Sequence, residues 1–149
     1  MYVANIGDSR GVMIQKDGGL ANGFGFTKLN AMQNCNSKKV QKELRERFPD
    51  EPDIIVNRSG LPGANYVKNR LMPTRSFGDL LLKYPEFNNP KNLHTDLGYY
   101  TPLKNFTGPY ITHTPEIRVF DLGPNDVGFL LASDGLWDEM NFKEVKTFC

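Results

Sequence analysis

The sequence predicts an α+β protein with antiparallel sheets, and three observations carry that class. Short runs rich in β-branched residues come in neighbouring pairs separated by turn residues, at 2–6 and 11–15. Polar and apolar residues alternate over Glu116-Ile117-Arg118-Val119-Phe120, and after a turn comes the apolar run Phe129-Leu130-Leu131-Ala132, which reads as a buried strand. A helical period shows only at 37–48 and 141–148, so the strand–helix alternation of a βαβ nucleotide fold is absent.

Tyr2–Ile6 and Gly11–Gln15 read as a hairpin across Gly7-Asp8-Ser9-Arg10, with a turn at Asp17-Gly18-Gly19 closing the second strand. Phe24–Thr27 reads as a third strand. Val40, Leu44 and Phe48 recur every four residues among Lys, Arg and Glu, with Ser37 as N-cap and Pro49 as stop, which predicts an amphipathic helix. Ile54-Ile55-Val56 is a short strand and Gly60-Leu61-Pro62-Gly63 a mobile loop. Residues 84–109 are rich in Asn, Pro, Tyr and Gly without any period, so they read as a long functional loop or an insertion. Gly123-Pro124-Asn125-Asp126 turns the chain. Asn141 caps a last helix, with Glu144 three residues on as in a capping box and Phe142, Val145 and Phe148 on the inner side.

The 149 residues suffice for one domain with a real core, at 39% hydrophobic and 23% charged residues. A formal net charge of +1 gives no electrostatic reason to expect nucleic acid or a membrane surface as partner. No run approaches the roughly 18 apolar residues of a membrane span, and the start has no signal-peptide pattern. Two cysteines, Cys35 and Cys149, make no disulfide framework, which suits a reducing, intracellular compartment with the cytoplasm as the default. Met1 leads at once into a strand and Cys149 falls inside a helical pattern, so both ends read as cut from something larger.

Chemistry points to the strand ends. Asn5-Ile6-Gly7-Asp8-Ser9-Arg10 and Ala132-Ser133-Asp134-Gly135-Leu136-Trp137-Asp138 share one design, an apolar strand ending in a small residue followed by Asp. Asp134 and Asp138 repel by roughly 3 kcal/mol at ~5 Å and an effective dielectric near ~20. A hard cation would offset that. Carboxylates with no His or Cys motif beside them favour Mg²⁺ or Mn²⁺ over zinc, and Gly7 and Gly135 let backbone and ligand come close. Each Asp alone reads as a turn residue, a surface acid or a cap, so only the set carries the cation. His94 and His113 lie in polar loops without ligand spacing, Cys35 lacks a base, and neither a P-loop nor a Gly-x-Ser-x-Gly elbow occurs.

In this order the motifs resemble the metal-dependent type 2C Ser/Thr protein phosphatases. Four blocks carry the resemblance: Tyr2-Val3-Ala4-Asn5-Ile6-Gly7-Asp8-Ser9-Arg10, Leu71-Met72-Pro73-Thr74-Arg75-Ser76-Phe77-Gly78-Asp79, Pro115-Glu116-Ile117, and Leu130 through Met140. Leu71-Met72-Pro73 and Tyr99-Tyr100-Thr101-Pro102 are similar in wording to the pyruvate dehydrogenase phosphatase branch, which would imply mitochondria. The resemblance implies part of a two-layer antiparallel β-sandwich flanked by helices, with N-terminal strands and the C-terminal end missing. It implies hydrolysis of phosphoserine and phosphothreonine in phosphoproteins by a water bridging two Mg²⁺ or Mn²⁺ ions. On the matching positions Asp134 would be a ligand of the binuclear centre. Asp8, with Asp134 and Asp138, would surround a third metal. Arg75, Asp79 and Gly135 would support the site, and residues 50–70 would be the flap-like region.

This chain also departs from the family pattern. The Asp-Gly-His-Gly-Gly block, the phosphate-binding Arg before it and the late Asp-Asn motif are absent from the 149 residues. After the third strand the family usually shows Asp-His, whereas the nearby residues here read Leu29-Asn30-Ala31-Met32-Gln33-Asn34. The expectation is therefore a partial catalytic domain that holds few or no metal ions alone and is inactive alone. The alternative is a non-catalytic, pseudophosphatase-like binding module. Strand edges exposed by missing neighbours would favour a dimer or strand exchange.

Overall fold

A computed structural model describes residues 1–16, 23–89 and 101–148. The chain divides into two compact units, Met1–Met32 with Pro115–Cys149, and Gln33–Thr114. The expected turn at Asp17-Gly18-Gly19, the centre of the 84–109 loop, His94 and the Phe148 side chain lie outside what is described.

The first unit holds β1 (Tyr2–Asn5), β2 (Arg10–Lys16), β3 (Phe24–Lys28), β6 (Glu116–Val119), β7 (Asp126–Ala132), α2 (Asp134–Trp137) and α3 (Phe142–Phe148). Its sheets are antiparallel: one pairs β1 with β6, the other is ordered β3-β2-β7. The α+β class read from the sequence is therefore the observed one. The hairpin between the first two runs is not. β1 pairs with β6 and β2 with β3 and β7, so Gly7-Asp8-Ser9-Arg10 connects two sheets. Gly7 sits at φ +100°, a region only glycine enters freely, and there the chain leaves one sheet for the other.

Among the described residues, only one face of each sheet is covered. Leu130 and Ala132 of β7 pack with Val12, Trp137 and Val145, whereas Val127, Phe129 and Leu131 alternate outward. Phe129 and Leu131 remain 62% and 63% exposed, so the run expected to be buried is buried on one side only. Across β1 and β6 the register Tyr2↔Val119 and Ala4↔Ile117 puts four more residues on an exposed face. The two sheets flank a cleft of about 620 Å³ lined by Tyr2, Leu29, Phe129 and Leu131.

The capping box is formed in full. Asn141 Oδ1 accepts from the Lys143 and Glu144 amides at 2.9 and 3.2 Å, and Glu144 Oε2 accepts the Asn141 amide at 2.7 Å. This sets Val145 of α3 into the Val12–Trp137 cluster.

The second unit contains α1 (Lys38–Arg47) and the hairpin β4 (Ile55–Asn57) with β5 (Asn65–Val67). Val40 and Leu44 of α1 pack with Cys35, Ile54, Val67, Leu82, Tyr110 and Ile111. Ser37 stands at the N-cap position without a side-chain capping bond, unlike the expectation; its amide donates to Asn34 O instead. There are two short 3₁₀ turns: Leu80–Leu82, where Leu81 and Leu82 are buried, and Pro85–Asn88, which occupies the start of the 84–109 stretch that reads in sequence as loop. Lys68 is tied to Glu51 and Asp53. Burial pulls its pKa down, but the two carboxylates outweigh burial and hold it above the usual lysine value.

Candidate functional site

The site candidates of the first unit follow from strand register. Arg10 pairs with Ala132 in the β2–β7 ladder. That pair ends the ladder, so the loop bearing Asp8 and the helix bearing Asp134 both begin at the same end of the sheet. Asp134 opens α2 and Asp138 ends it, with the Asp138 amide donating to Asp134 O at 2.7 Å. One helical turn separates them, which puts their side chains on the same face. Asp134, Gly135 and Asp138 are exposed and Asp8 is half-buried.

Trp137 fastens α2 to the sheet. Its indole Nε1 donates to both Arg10 O and Ala132 O, at 3.0 and 2.9 Å, the two residues of the last ladder pair. Arg10 returns a bond from Nη2 to Trp137 O at 3.2 Å, and its guanidinium lies 5.5 Å from the indole centroid. Neither residue is singled out by spacing in the sequence. The Trp at fixed distance after a strand-end Asp was the available signal, because a buried indole N–H needs an acceptor nearby.

Gly135 shows no backbone or steric requirement for glycine. Its backbone does not adopt positive φ, and a Cβ there would meet only Ser133 Oγ at 3.5 Å, an ordinary contact. Within these residues nothing demands glycine at 135. Arg75 and Asp79 belong to the second unit. Arg75 Nη1 donates to Thr114 O at 2.6 Å. Asp79 is exposed, has φ +47°, and accepts the Leu82 amide on its carbonyl to start a 3₁₀ turn. The loop between them is held by buried Lys83, whose ammonium donates to Ser76 O and Gly78 O at 2.6 and 2.7 Å.

Three carboxylates are hard oxygen donors of the kind Mg²⁺ and Mn²⁺ take, but such ions need about six ligands. Among the described residues no three acidic, His or Cys side chains are gathered closely enough to hold a metal. Unaided, the described residues do not fit a metal. Cys35 is buried, and burial pushes its thiol up to about 12, which removes it as a nucleophile.

An α+β chain whose antiparallel strands end in paired acidic loops is the architecture that the type 2C motifs imply. The whole chain, residues 1–149, matches the family described as Protein phosphatase 2C. It is 35% identical over 140 residues to "Probable protein phosphatase 2C 42" of Arabidopsis thaliana, covering 94% of this chain and 34% of that protein. It is 35% identical over 147 residues to "Probable protein phosphatase 2C 72" of Oryza sativa subsp. japonica, covering 97% and 35%. A third relative, "Probable protein phosphatase 2C 64" of Arabidopsis thaliana, is 36% identical over 146 residues, covering 97% and 34%. This chain belongs to the protein phosphatase 2C family, a family of hydrolases, and spans about a third of the length of these relatives. Their names carry no reference to a pyruvate dehydrogenase phosphatase branch.

Proposed function

We propose that these residues form part of a Mg²⁺- or Mn²⁺-dependent phosphatase that hydrolyses phosphoserine and phosphothreonine in proteins. The observation that carries the reading is the ladder pair Arg10↔Ala132, which delivers the two acidic family loops to one end of one sheet. Asp134, Asp138 and Asp8 would contribute oxygens to the metals, and the remaining ligands would come from outside these residues. When bound, such ions polarise a phosphoryl oxygen and lower the pKa of water to near 7. The protein's own share is to hold the three carboxylates at rigid strand and helix ends. Arg75, Asp79 and Gly135 act as support in this reading.

Expressed as these 149 residues, the chain should release no phosphate from a phosphopeptide in the presence of Mn²⁺. Placed within a chain of the relatives' length it should do so, and Asp134→Asn should abolish the release. No release from the longer chain would sink the phosphatase reading. The second reading, a non-catalytic module that binds a phosphoprotein, is favoured by one observation, the lack of a gathered metal group among the described residues. Phosphopeptide binding without turnover by the longer chain would select it.

Phosphoproteins are the partners this reading requires. No helix among the described residues is long and apolar enough to cross a membrane. An intracellular site, the cytoplasm by default and mitochondria if the pyruvate dehydrogenase phosphatase wording holds, goes with the reading. A second copy of the chain is the partner we assign to the exposed apolar faces of β1, β6 and β7.

A further inference from the structure

We infer that Asn5 and Asn30 are positioning residues for Asp8, each clamping the backbone on one side of it. Asn5 is 7% exposed and Asn30 8%, and both side chains are spent on backbone groups. Asn5 Nδ2 donates to Gly7 O at 3.2 Å and to Ala31 O at 2.9 Å. Asn30 Nδ2 donates to Ser9 O at 2.7 Å, while its Oδ1 accepts the Gly11 amide at 2.7 Å. A fifth bond, Leu29 N to Gly11 O at 2.9 Å, closes the same unit. The carbonyls immediately before and after Asp8 are thus held by two buried amides that the segment after β3 brings together.

The residue type matters as much as the place. An amide carries a donor and an acceptor, and Asn30 uses both at once. A carboxylate of the same shape could still accept from Gly11, but it would face the Ser9 carbonyl with an acceptor. It would also add a negative charge beside Ser9, the neighbour of Asp8. The amide therefore fixes the acidic loop with a neutral group.

The inference rests on the phosphatase reading only for the use to which Asp8 is put; the clamp itself is read by amide hydrogen exchange on the 149-residue chain. In the unsubstituted chain the Gly11 amide should exchange as slowly as that of Met13, a residue within β2. Asn30→Asp should leave Met13 and Leu130 slow and speed the amides of Gly11 and Leu29 by about tenfold or more, as the loop loses its hold on Ser9. A residue that only fills space would show no change on this isosteric substitution. Unchanged exchange at Gly11 and Leu29 in Asn30→Asp overturns the inference, and so does a Gly11 amide that exchanges as an open one in the unsubstituted chain. The second measurement decides alone if Asn30→Asp does not fold. In a chain of the relatives' length, Asn30→Asp should raise the Mn²⁺ concentration for half-maximal phosphate release about tenfold with the phosphopeptide KM unmoved. A shift in KM alone would count against positioning of Asp8. Failure of the unsubstituted longer chain to release phosphate would remove the phosphatase reading and leave the exchange result standing.

Discussion

Arg10 and Trp137, which lie 127 residues apart, bind each other in both directions: indole to carbonyl at 3.0 Å and guanidinium to carbonyl at 3.2 Å. The same indole N–H also reaches Ala132 O, so one side chain ties the last rung of the β2–β7 ladder to α2. Through this joint the loop bearing Asp8 and the helix bearing Asp134 and Asp138 share one anchor. Trp137→Phe keeps most of the buried ring and removes the donor. It should destabilise the chain by about 1–3 kcal/mol, since two carbonyls lose a partner. Urea unfolding midpoints of the two proteins measure it, and an unchanged midpoint would show that the ring alone holds α2.

Asn141 offers a cleaner test, because its capping box is a local feature that the sequence itself shows. Asn141→Ala should cost about 1 kcal/mol by removing the acceptor for two amides. Glu144→Gln should cost less, since a glutamine oxygen can still accept from the Asn141 amide. A larger loss for Glu144→Gln than for Asn141→Ala would contradict the reciprocal geometry.

What sequence revealed and what it hid follow from range. The capping box, the Gly123–Asp126 turn and the period of Val40 and Leu44 are local, and all three are observed. Pairing partners are not local: β1 joins β6 across more than a hundred residues, which no turn signal near Gly7 could reveal. Phe129 and Leu131 read as buried because apolar runs normally are, yet burial needs a covering layer that the run itself does not contain. The acids at 8, 134 and 138 were legible as types at strand ends. Asn30 was legible only as one residue of an altered block. Its role depends on where Ser9 and Gly11 lie, some twenty residues away.

Cys35 predicts a pH dependence. Burial raises its thiol pKa to about 12, whereas an unfolded thiol titrates near ~8.5. The folded chain therefore keeps a proton that the unfolded chain gives up. That contribution is fully present below pH ~8.5 and is lost as pH rises from there toward about 12. At pH ~10 the loss is about 2 kcal/mol as an order of magnitude. Urea midpoints at pH 7 and 10 should fall further for the unsubstituted chain than for Cys35→Ala. Equal falls would place the alkaline loss elsewhere, with Lys68 the next group to test.

Tyr2, Ile117, Val119, Val127, Phe129 and Leu131 are each between 45% and 81% exposed, and all belong to β1, β6 or β7. Together they present on the order of 500 Å² of apolar surface, at the top of what a monomer leaves uncovered. Two copies closing on one another would bury about 1,000 Å², the low end for a specific interface. With a net charge of only +1, copies meet little electrostatic resistance. Light scattering across a concentration series should show the 149-residue chain moving from monomer to dimer mass. Phe129→Lys and Ile117→Lys, one on each sheet, should each shift that transition to higher concentration, because both introduce a charge on a face that must be dehydrated. Leu61→Lys, at an exposed position of the other unit, should leave the transition where it was. A monomer mass throughout the series, or a dimer indifferent to both sheet substitutions, would show that these faces are not where copies meet.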